Sequence, residues 1–410
     1  MRTWRLQWVK FVGTTVALIF SLCLFSSCGS NSSDRLPATT EPHAPSTTAT
    51  NAQETSDSLS AQPSSDSTSF GQGETLDDRL GASDGFAASI FFVSDLTGSL
   101  DVCGCAQNPQ GGIARQKGFL NEFENRYRGI PYLYVDLGHS LSERTKFGTM
   151  NLLEPVRVGN EWVLRAYNEL NVSAVNVSFR DLVHLRHTLA ADVFAKQRRE
   201  LPVLTRFVSA NVKPKTNAHV ALPPYLIQTL RGGRLKRPLK VALVGLTEVG
   251  TLPLEAFTIE DPLEVAHRVI PEVSAKADIV VVMGYLSRAV GQRLAGSGLP
   301  YNALLTAFRL PNLQPIRRYG KKLWATSIYE GRFLGELRIY TDPQGRFADL
   351  KARYIPLDQV VPDDPRFAAL RSEARAAINK AGEQMSKEGT ANATPATGAT
   401  SHEPRATNED

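Results

Sequence analysis

The stretch "FFVSDLTGSLDVCGCAQNPQGGIARQKGFL", residues 91–120, decides how the chain reads. It opens in an apolar run of strand length that reaches back to Ala88 as "ASIFFVSD". It closes in helical spacing: in "GIARQKGFLNEFENRY", Ile113, Phe119, Leu120 and Phe123 share one broad face. Between them stand Cys103 and Cys105, one residue apart, and the pair Gly111 and Gly112, with Arg115 in the first helical turn. Gly104 permits the tight backbone that such a cysteine pair needs. Three readings of the cysteines stay open. They can form a strained disulfide, more oxidising than a structural bridge, that serves as a redox pair. They can offer two thiolates to a soft-metal site together with His139 or Asp95. They can also form a bridge that only pins the loop. Gly111 and Gly112 ahead of a helix let backbone amides approach an anion, with Arg115 assisting, or form a turn with tight helix packing.

Outward from this stretch, strand-like and helix-like patterns alternate. "PYLYVDLG" (131–138), "VSAVNVS" (172–178) and "RFVSANV" (206–212) read as strands, separated by helices in "GNEWVLRAYNELN" and "RDLVHLRHTLAADVFAKQRR". "PYLIQTLRGGRLKRPLKVALVGLT" reads as two strands around a Gly-Gly turn, with its basic run 231–240 as a solvated hairpin tip. "PLEVAHRVIPEVSAKA" reads as a helix despite Pro271, "DIVVVMGYL" as a buried strand, and "YNALLTAF", "KKLWATSIY" and "GRFLGELRIYTDPQG" as closing strands. The expectation is an α/β (α+β layered) sandwich, with parallel strands early and antiparallel pairs late. It occupies residues 86–360 as a single domain, followed by a helix over 361–383.

The flanks differ in composition. Residues 28–85 and 384–410 are dominated by Ser, Thr, Ala, Asp, Gln and Pro, with too few large apolar residues for a core, and read as a disordered tether and tail. Residues 1–27 carry Arg2, Arg5 and Lys10, then the apolar run 11–25, then Ser26-Ser27 before Cys28. That order marks a secretion signal, and the run is short of the ~20 residues that span a bilayer. A cysteine in this place resembles a bacterial lipobox, with Phe25 where Leu is usual. Cys28 is then the lipidated first residue of a mature protein held to the membrane by a lipid (palmitate-type) anchor on the extracytoplasmic side of the bacterial cell envelope; the alternative is an uncleaved signal anchor. The formal charge of +5 is spread along the chain without an aromatic-interleaved basic block, so no nucleic-acid partner is expected.

The order of motifs resembles the 5′-nucleotidase branch of the calcineurin-like metallophosphoesterases. "FFVSDLTGSL" resembles a first strand that normally ends Asp-x-His-Gly, and "GGIARQKGFL" the Gly-Gly-x-x-Arg helix start after it. "YLYVDLGHS" resembles the second strand, which normally ends Asp-x-Gly-Asp, and "SAVNVSFRDL" stands where Gly-Asn-His-Glu is usual. "LPVLTRFVSANV", the hairpin and "IEDPLEVAH" follow in the family's order, so the likeness runs over residues 88–340. The Cys-Gly-Cys loop and "NVSFRDL" resemble a divergent secreted subgroup. The resemblance implies a four-layer α/β/β/α fold and a site where two metals, bridged by a carboxylate, activate water and clamp phosphoryl oxygens.

Set against that ligand set, this chain keeps Asp95, and Asp136 and Asn176 remain as candidates. Thr97 replaces a histidine, His139 replaces the bridging Asp, Tyr285 stands at a histidine position, and Phe308 lies where Gly-His-x-His is usual. Tyr285 and Phe308 are expected to fill the vacated cavity. A divalent metal, Mn, Fe or Zn, is the cofactor the resemblance implies, with Asp95, Asp136, His139 and Asn176 as its ligands. The chain stops where longer 5′-nucleotidases continue into a nucleoside-binding domain, so nucleotide hydrolysis on a full dinuclear site is not expected. Arg180 and Asp181 are expected to form a local ion pair or helix cap, and His184 and His187 to be half-exposed structural residues. Three functions remain. In the first, the Cys-Gly-Cys loop with His139 is the working site, redox or ligand-binding, for an unidentified small molecule. In the second, an atypical metal site hydrolyses phosphoesters. In the third, the chain is an inactive scaffold.

Overall fold

Ala88–Val93 is buried along its whole length, as a strand covered on both faces must be. Its side chains alternate: Phe91 packs with the helices on one side, and Phe92 faces a second sheet on the other. The computed structural model describes residues 62–63, 74–102, 109–147, 149–251, 254–308, 315–327 and 329–391. Cys28, the signal-like segment, most of the tether, Cys103 and Cys105 lie outside them.

Two sheets make the centre. The first runs Phe347–Pro356, Phe333–Thr341, Ala88–Val93, Tyr132–Asp136, Ala174–Asn176, Phe207–Val208. Its last four strands are parallel, and Phe333–Thr341 is antiparallel to both neighbours. The second runs Gln62–Pro63, Arg317–Tyr319, Lys322–Ser327, Ala303–Ala307, Ile279–Tyr285, Leu239–Thr247, Tyr225–Leu230. Its four central strands are parallel. The late strand Lys322–Ser327 therefore extends a parallel sheet, where an antiparallel pair was expected. Val212–Pro214 and Phe257–Ile259 form a separate two-stranded ladder.

Three apolar cores separate the layers. Phe119, Phe123, Val163 and Tyr167 pack helices Ile113–Arg126 and Glu154–Glu169 onto the first sheet. Phe92, Val135, Leu243 and Met283 meet between the sheets. Ile270 and Leu294 pack helices Pro262–Ser274 and Arg288–Gly296 onto the far side of the second sheet. The result is the expected α/β/β/α sandwich. All three cores lie within one compact unit, Ser58–Asp410, so the apolar burial that drives its folding is internal to it.

Boundaries differ from expectation where distant contacts decide them. Two elements lie inside the expected tether: strand Gln62–Pro63, and helix Leu76–Leu80, on which Thr75 and Asp78 form a capping box. Arg79 then docks on Asp358 through two hydrogen bonds of 2.7 and 2.8 Å. The single helix expected over 180–199 divides into Leu182–Thr188 and Ala191–Gln197. Ala190 turns extended to pair with His219, and Leu189 accepts the Val220 N–H. The C-terminal helix spans Pro365–Ala391, beyond the expected limit at residue 383.

The sheets approach closely at Gly245. A Cβ there would lie 2.6 Å from the Val208 carbonyl oxygen and 2.8 Å from Asn176 Oδ1. Gly245→Ala is expected to lower stability by about 2 kcal/mol through overpacking, measured by urea denaturation. An unchanged midpoint would mean that the sheets can separate at this seam.

Candidate functional site

The loops that follow the first two parallel strands are zipped together. Asp95 N–H donates to the Gly138 carbonyl (3.1 Å), Thr97 N–H to His139 (3.2 Å) and Gly98 N–H to Ser140 (2.8 Å). Asp95, Thr97 and His139 all have positive φ, 63°, 49° and 59°, a strained state for non-glycine residues that clusters at functional sites. The zip sets Asp95 beside His139 at the carboxyl ends of the strands, where open α/β sheets place their ligands.

Both side chains are buried, each 2 % exposed. Asp95 Oδ1 and His139 Nδ1 form a close ion pair, yet neither atom gains a hydrogen bond of acceptable angle. On the other side of the ring, Nε2 lies 3.1 Å from Glu143 Oε2, and Glu143 in turn binds Arg180. Burial opposes a charge on His139, but the flanking carboxylates of Asp95 and Glu143 outweigh it and push its pKa up to about 9. Burial likewise opposes the charge on Glu143, yet His139 and Arg180 hold it down to about 2. Tyr285, from the second sheet, packs edge-on against His139 with ring centroids 5.1 Å apart, which fills the cavity as expected. Phe308 does not: it lines a separate cleft with Leu286 and Trp324.

Asp181 organises the backbone beneath. It is buried and accepts N–H groups from His139, Leu141 and Ser178, each at 2.8 Å, and the Ser178 hydroxyl at 2.7 Å. The expected Arg180–Asp181 pair is absent, since Arg180 reaches Glu143 instead. Asp181 stands at the N-cap of helix Leu182–Thr188 without a side-chain bond to that helix; its carboxylate turns back to Ser178, whose hydroxyl in turn accepts the Asp181 N–H at 3.3 Å. Burial raises the Asp181 pKa, against the opposing pull of His139 and the Ser178 and Leu141 donors.

Two candidate ligands face elsewhere. Asp136 accepts the Gly138 N–H at 2.7 Å, the Ser140 hydroxyl and the Tyr167 hydroxyl at 2.6 Å. Burial pushes its pKa up to about 7 even against those three donors. Asn176 donates to the Leu137 and Leu246 carbonyls at 3.0 and 3.2 Å, and its oxygen faces Gly245 in the seam between the sheets. Neither side chain is turned to the Asp95–His139 pair. Among the described residues no cluster of three or more His, Cys, Asp or Glu is placed to hold a metal ion. Asp95 and His139 offer two convergent donors, so these residues do not fit a two-metal centre.

The anion reading of the glycine pair is corrected. Gly111 N–H donates to the Leu357 carbonyl at 2.7 Å and Ile113 N–H to Leu100 at 3.1 Å. Arg115 donates to the Pro109 and Leu357 carbonyls and pairs with Asp363 at 3.5 Å. These donors fasten the loop. Gly111 has φ 81° and abuts the Glu330 and Gly331 carbonyls, while Glu330 N–H donates to the Asp95 carbonyl. Val102 and Gly111 pair as an isolated bridge. Val102 and Gly111, which flank the stretch with Cys103 and Cys105, are thus paired next to Glu330; the cysteines themselves lie outside the described residues. His184 is buried, with its pKa pulled down to about 4 by burial and then by His187 and Arg157. It and the exposed His187 line a groove between helices.

Glu143 escaped the sequence reading, and Asp181 was expected only as a local ion pair or helix cap. The signals present were a carboxylate four residues after His139 and the Ser178-x-x-Asp181 spacing. No family model and no curated protein matches the chain. Solved structures do. A 5′-nucleotidase precursor from Thermus thermophilus superposes with TM-score 0.51 at 18 % identity, over 72 % of this chain and 58 % of its own. The sulfate thiohydrolase SoxB of the same organism gives 0.53 at 17 %, over 71 % and 60 %. The calcineurin-like phosphoesterase YfkN of Bacillus subtilis gives 0.52 at 14 %, over 72 % and 99 %. The chain spans about three fifths of the length of the first two and nearly all of the third. It has the fold of the 5′-nucleotidases and calcineurin-like phosphoesterases.

Proposed function

We propose that the chain is a lipid-anchored protein of the bacterial cell envelope in which a phosphoesterase-like scaffold holds the Cys-Gly-Cys loop beside a buried His–carboxylate cluster, as a redox or ligand-binding site for a small molecule. The observation that carries this reading is the bridge between Val102 and Gly111 beside Asp95. It closes the neck of the cysteine loop at Gly111, which abuts Glu330, the residue whose N–H binds the Asp95 carbonyl. A positively charged imidazole near a thiol favours the thiolate, the reactive form. Oxidation of the pair to a disulfide releases two protons and two electrons, which an oxidised substrate, such as a disulfide reduced to two thiols, takes up. Among the described residues no helix is long and apolar enough to cross a membrane; the anchor in this reading is Cys28.

The test is a thiol titration of the purified protein before and after mild reduction. Two additional thiols are expected on reduction, and Cys103→Ser should abolish the change. Identical counts before and after reduction would remove the redox reading. Palmitate labelling that survives Cys28→Ala would remove the anchor.

One observation favours a second reading, an atypical metal-dependent hydrolase: Asp95 Oδ1 and His139 Nδ1 converge without a hydrogen bond between them. Those two groups are of the type that hold a divalent ion, and the solved neighbours include enzymes named as nucleotidases and phosphoesterases. Elemental analysis of protein purified without chelator decides it. Stoichiometric Mn, Fe or Zn together with phosphoesterase turnover would favour the hydrolase over the dithiol site.

A further inference from the structure

At the end of the sheets opposite the Asp95–His139 pair, the turn 231–238 joins Tyr225–Leu230 to Leu239–Thr247. At ~3.3 Å per residue, the nine residues of the latter strand separate turn and site by about 26 Å. Arg231, Arg234 and Lys236 stand exposed on the turn, and Lys240 follows in the strand. A Cβ on Gly233 would lie 2.5 Å from the Gly129 carbonyl oxygen, so the turn lies directly on the 128–130 segment and brings exposed Arg128 alongside.

Two shallow clefts flank the turn. One, of about 450 Å³, is lined by Arg231, Arg237, Lys240 and Lys276. The other, of about 480 Å³, is lined by Arg126, Arg128 and Arg234. The carboxylates at these clefts are already paired: Asp278 with Arg237, Glu272 with Lys276 and Asp77 with Arg126. Arg128, Arg231, Arg234, Lys236 and Lys240 have no carboxylate partner among the described residues; Arg234 and Lys236 reach only neutral oxygens, of Phe86, Ser83 and Pro343.

We propose that this face lies against an anionic phospholipid surface, with the unpaired cations set on headgroup phosphates. Several cations spread over two shallow, adjoining clefts suit an array of phosphates better than one enclosed anion. No aromatic residue stands in the turn for bases to stack on. The short helix Leu76–Leu80 also reaches this face: its Asp77 pairs with Arg126. The inference deepens the lipid-anchor reading: it gives the anchored protein an orientation, with its candidate site turned away from the membrane.

The test is co-sedimentation of the compact unit Ser58–Asp410, which lacks Cys28, with vesicles of neutral phosphatidylcholine and with vesicles in which about a third is phosphatidylglycerol. Binding to the anionic vesicles is expected to be at least about tenfold stronger and to vanish at ~0.5 M salt, as screening requires. Arg231→Glu with Lys240→Glu should lower it at least about tenfold, while leaving the melting temperature unchanged because both side chains are exposed. Equal binding to the two vesicle types overturns the proposal, as does undiminished binding by the variant. Capture of double-stranded DNA in preference to the anionic vesicles also overturns it. Because this unit carries no anchor, palmitate labelling of the full chain fails or succeeds independently of the result.

Discussion

Asp181→Ala is expected to lower the stability of the fold by about 4 kcal/mol and the melting temperature by roughly 10 °C. The carboxylate accepts three backbone N–H groups and one hydroxyl, all buried. Alanine leaves those donors without partners where water has no room, and each such donor costs about 1–3 kcal/mol. The donors belong to two loops, 139–141 and 178–181, so the loss also frees the left-handed backbone at His139. Asp181→Asn distinguishes the local effect from general unfolding. The amide keeps one acceptor oxygen for Leu141 or for the cluster around Ser178, but sets an NH₂ group against the other donors. It should lose less stability than alanine while still displacing the His139 resonance in NMR spectra. A variant that melts within about 1 °C of the parent would show that Asp181 is not what holds the two loops together.

The layered fold was legible because its signals are local. Apolar runs such as 88–93 and 279–285 announce inner strands, and the spacing of Ile113, Phe119 and Phe123 announces a helix with one buried face. Where the reading failed, the deciding contact lay far along the chain. Residues 180–199 have continuous helical spacing, and nothing within them predicts the break at Ala190. Its cause is the pairing with His219 and Val220. Leu76–Leu80 was read as tether because Asp358, which fixes Arg79, lies at the other end of the domain.

The site divides in the same way. Asp95 and His139 were identified because each ends a recognisable strand, and the structure brings them together. Asp136 shares a strand end with His139 but points into the helix layer, toward Tyr167, which lies 31 residues on. Position in a motif therefore could not show that its oxygens are occupied. Gly111 and Arg115 have the composition of an anion cradle, yet the carbonyls of Pro109 and Leu357 take their donors. Residue type suggests a chemistry, and only the partners reveal whether the group is available for it.

Stability is expected to peak at about pH 4, where the gain from Glu143 and the loss from Asp136 balance, and to fall on the alkaline side in two steps, with His139 responsible for the second. Three groups set the profile. Glu143 has its pKa lowered to about 2, so its contribution is complete above the unfolded value of 4.5 and disappears as the pH falls through 2. Asp136, raised by burial to about 7, favours its neutral form in the fold. Its contribution is complete below 3.8 and is lost as the pH rises through 7. His139 is raised to about 9 by Asp95 and Glu143, against burial. Its contribution is complete below 6.5 and lost as the pH rises through 9, a change of about 3 kcal/mol at most, since one pKa unit corresponds to about 1.4 kcal/mol. Denaturant midpoints measured across this range, in a Cys103→Ser/Cys105→Ser background so that thiols do not titrate, should show both alkaline steps. His139→Gln should remove the step between pH 6.5 and 9 and leave the Asp136 step in place. The same experiment separates the two functional readings. A divalent cation held at Asp95 and His139 competes with the ring proton, so saturating Mn or Zn would flatten the His139 step in a metal-binding site. In a site built on the ion pair alone, the step persists with or without chelator, and His139 itself supplies the positive charge beside Asp95.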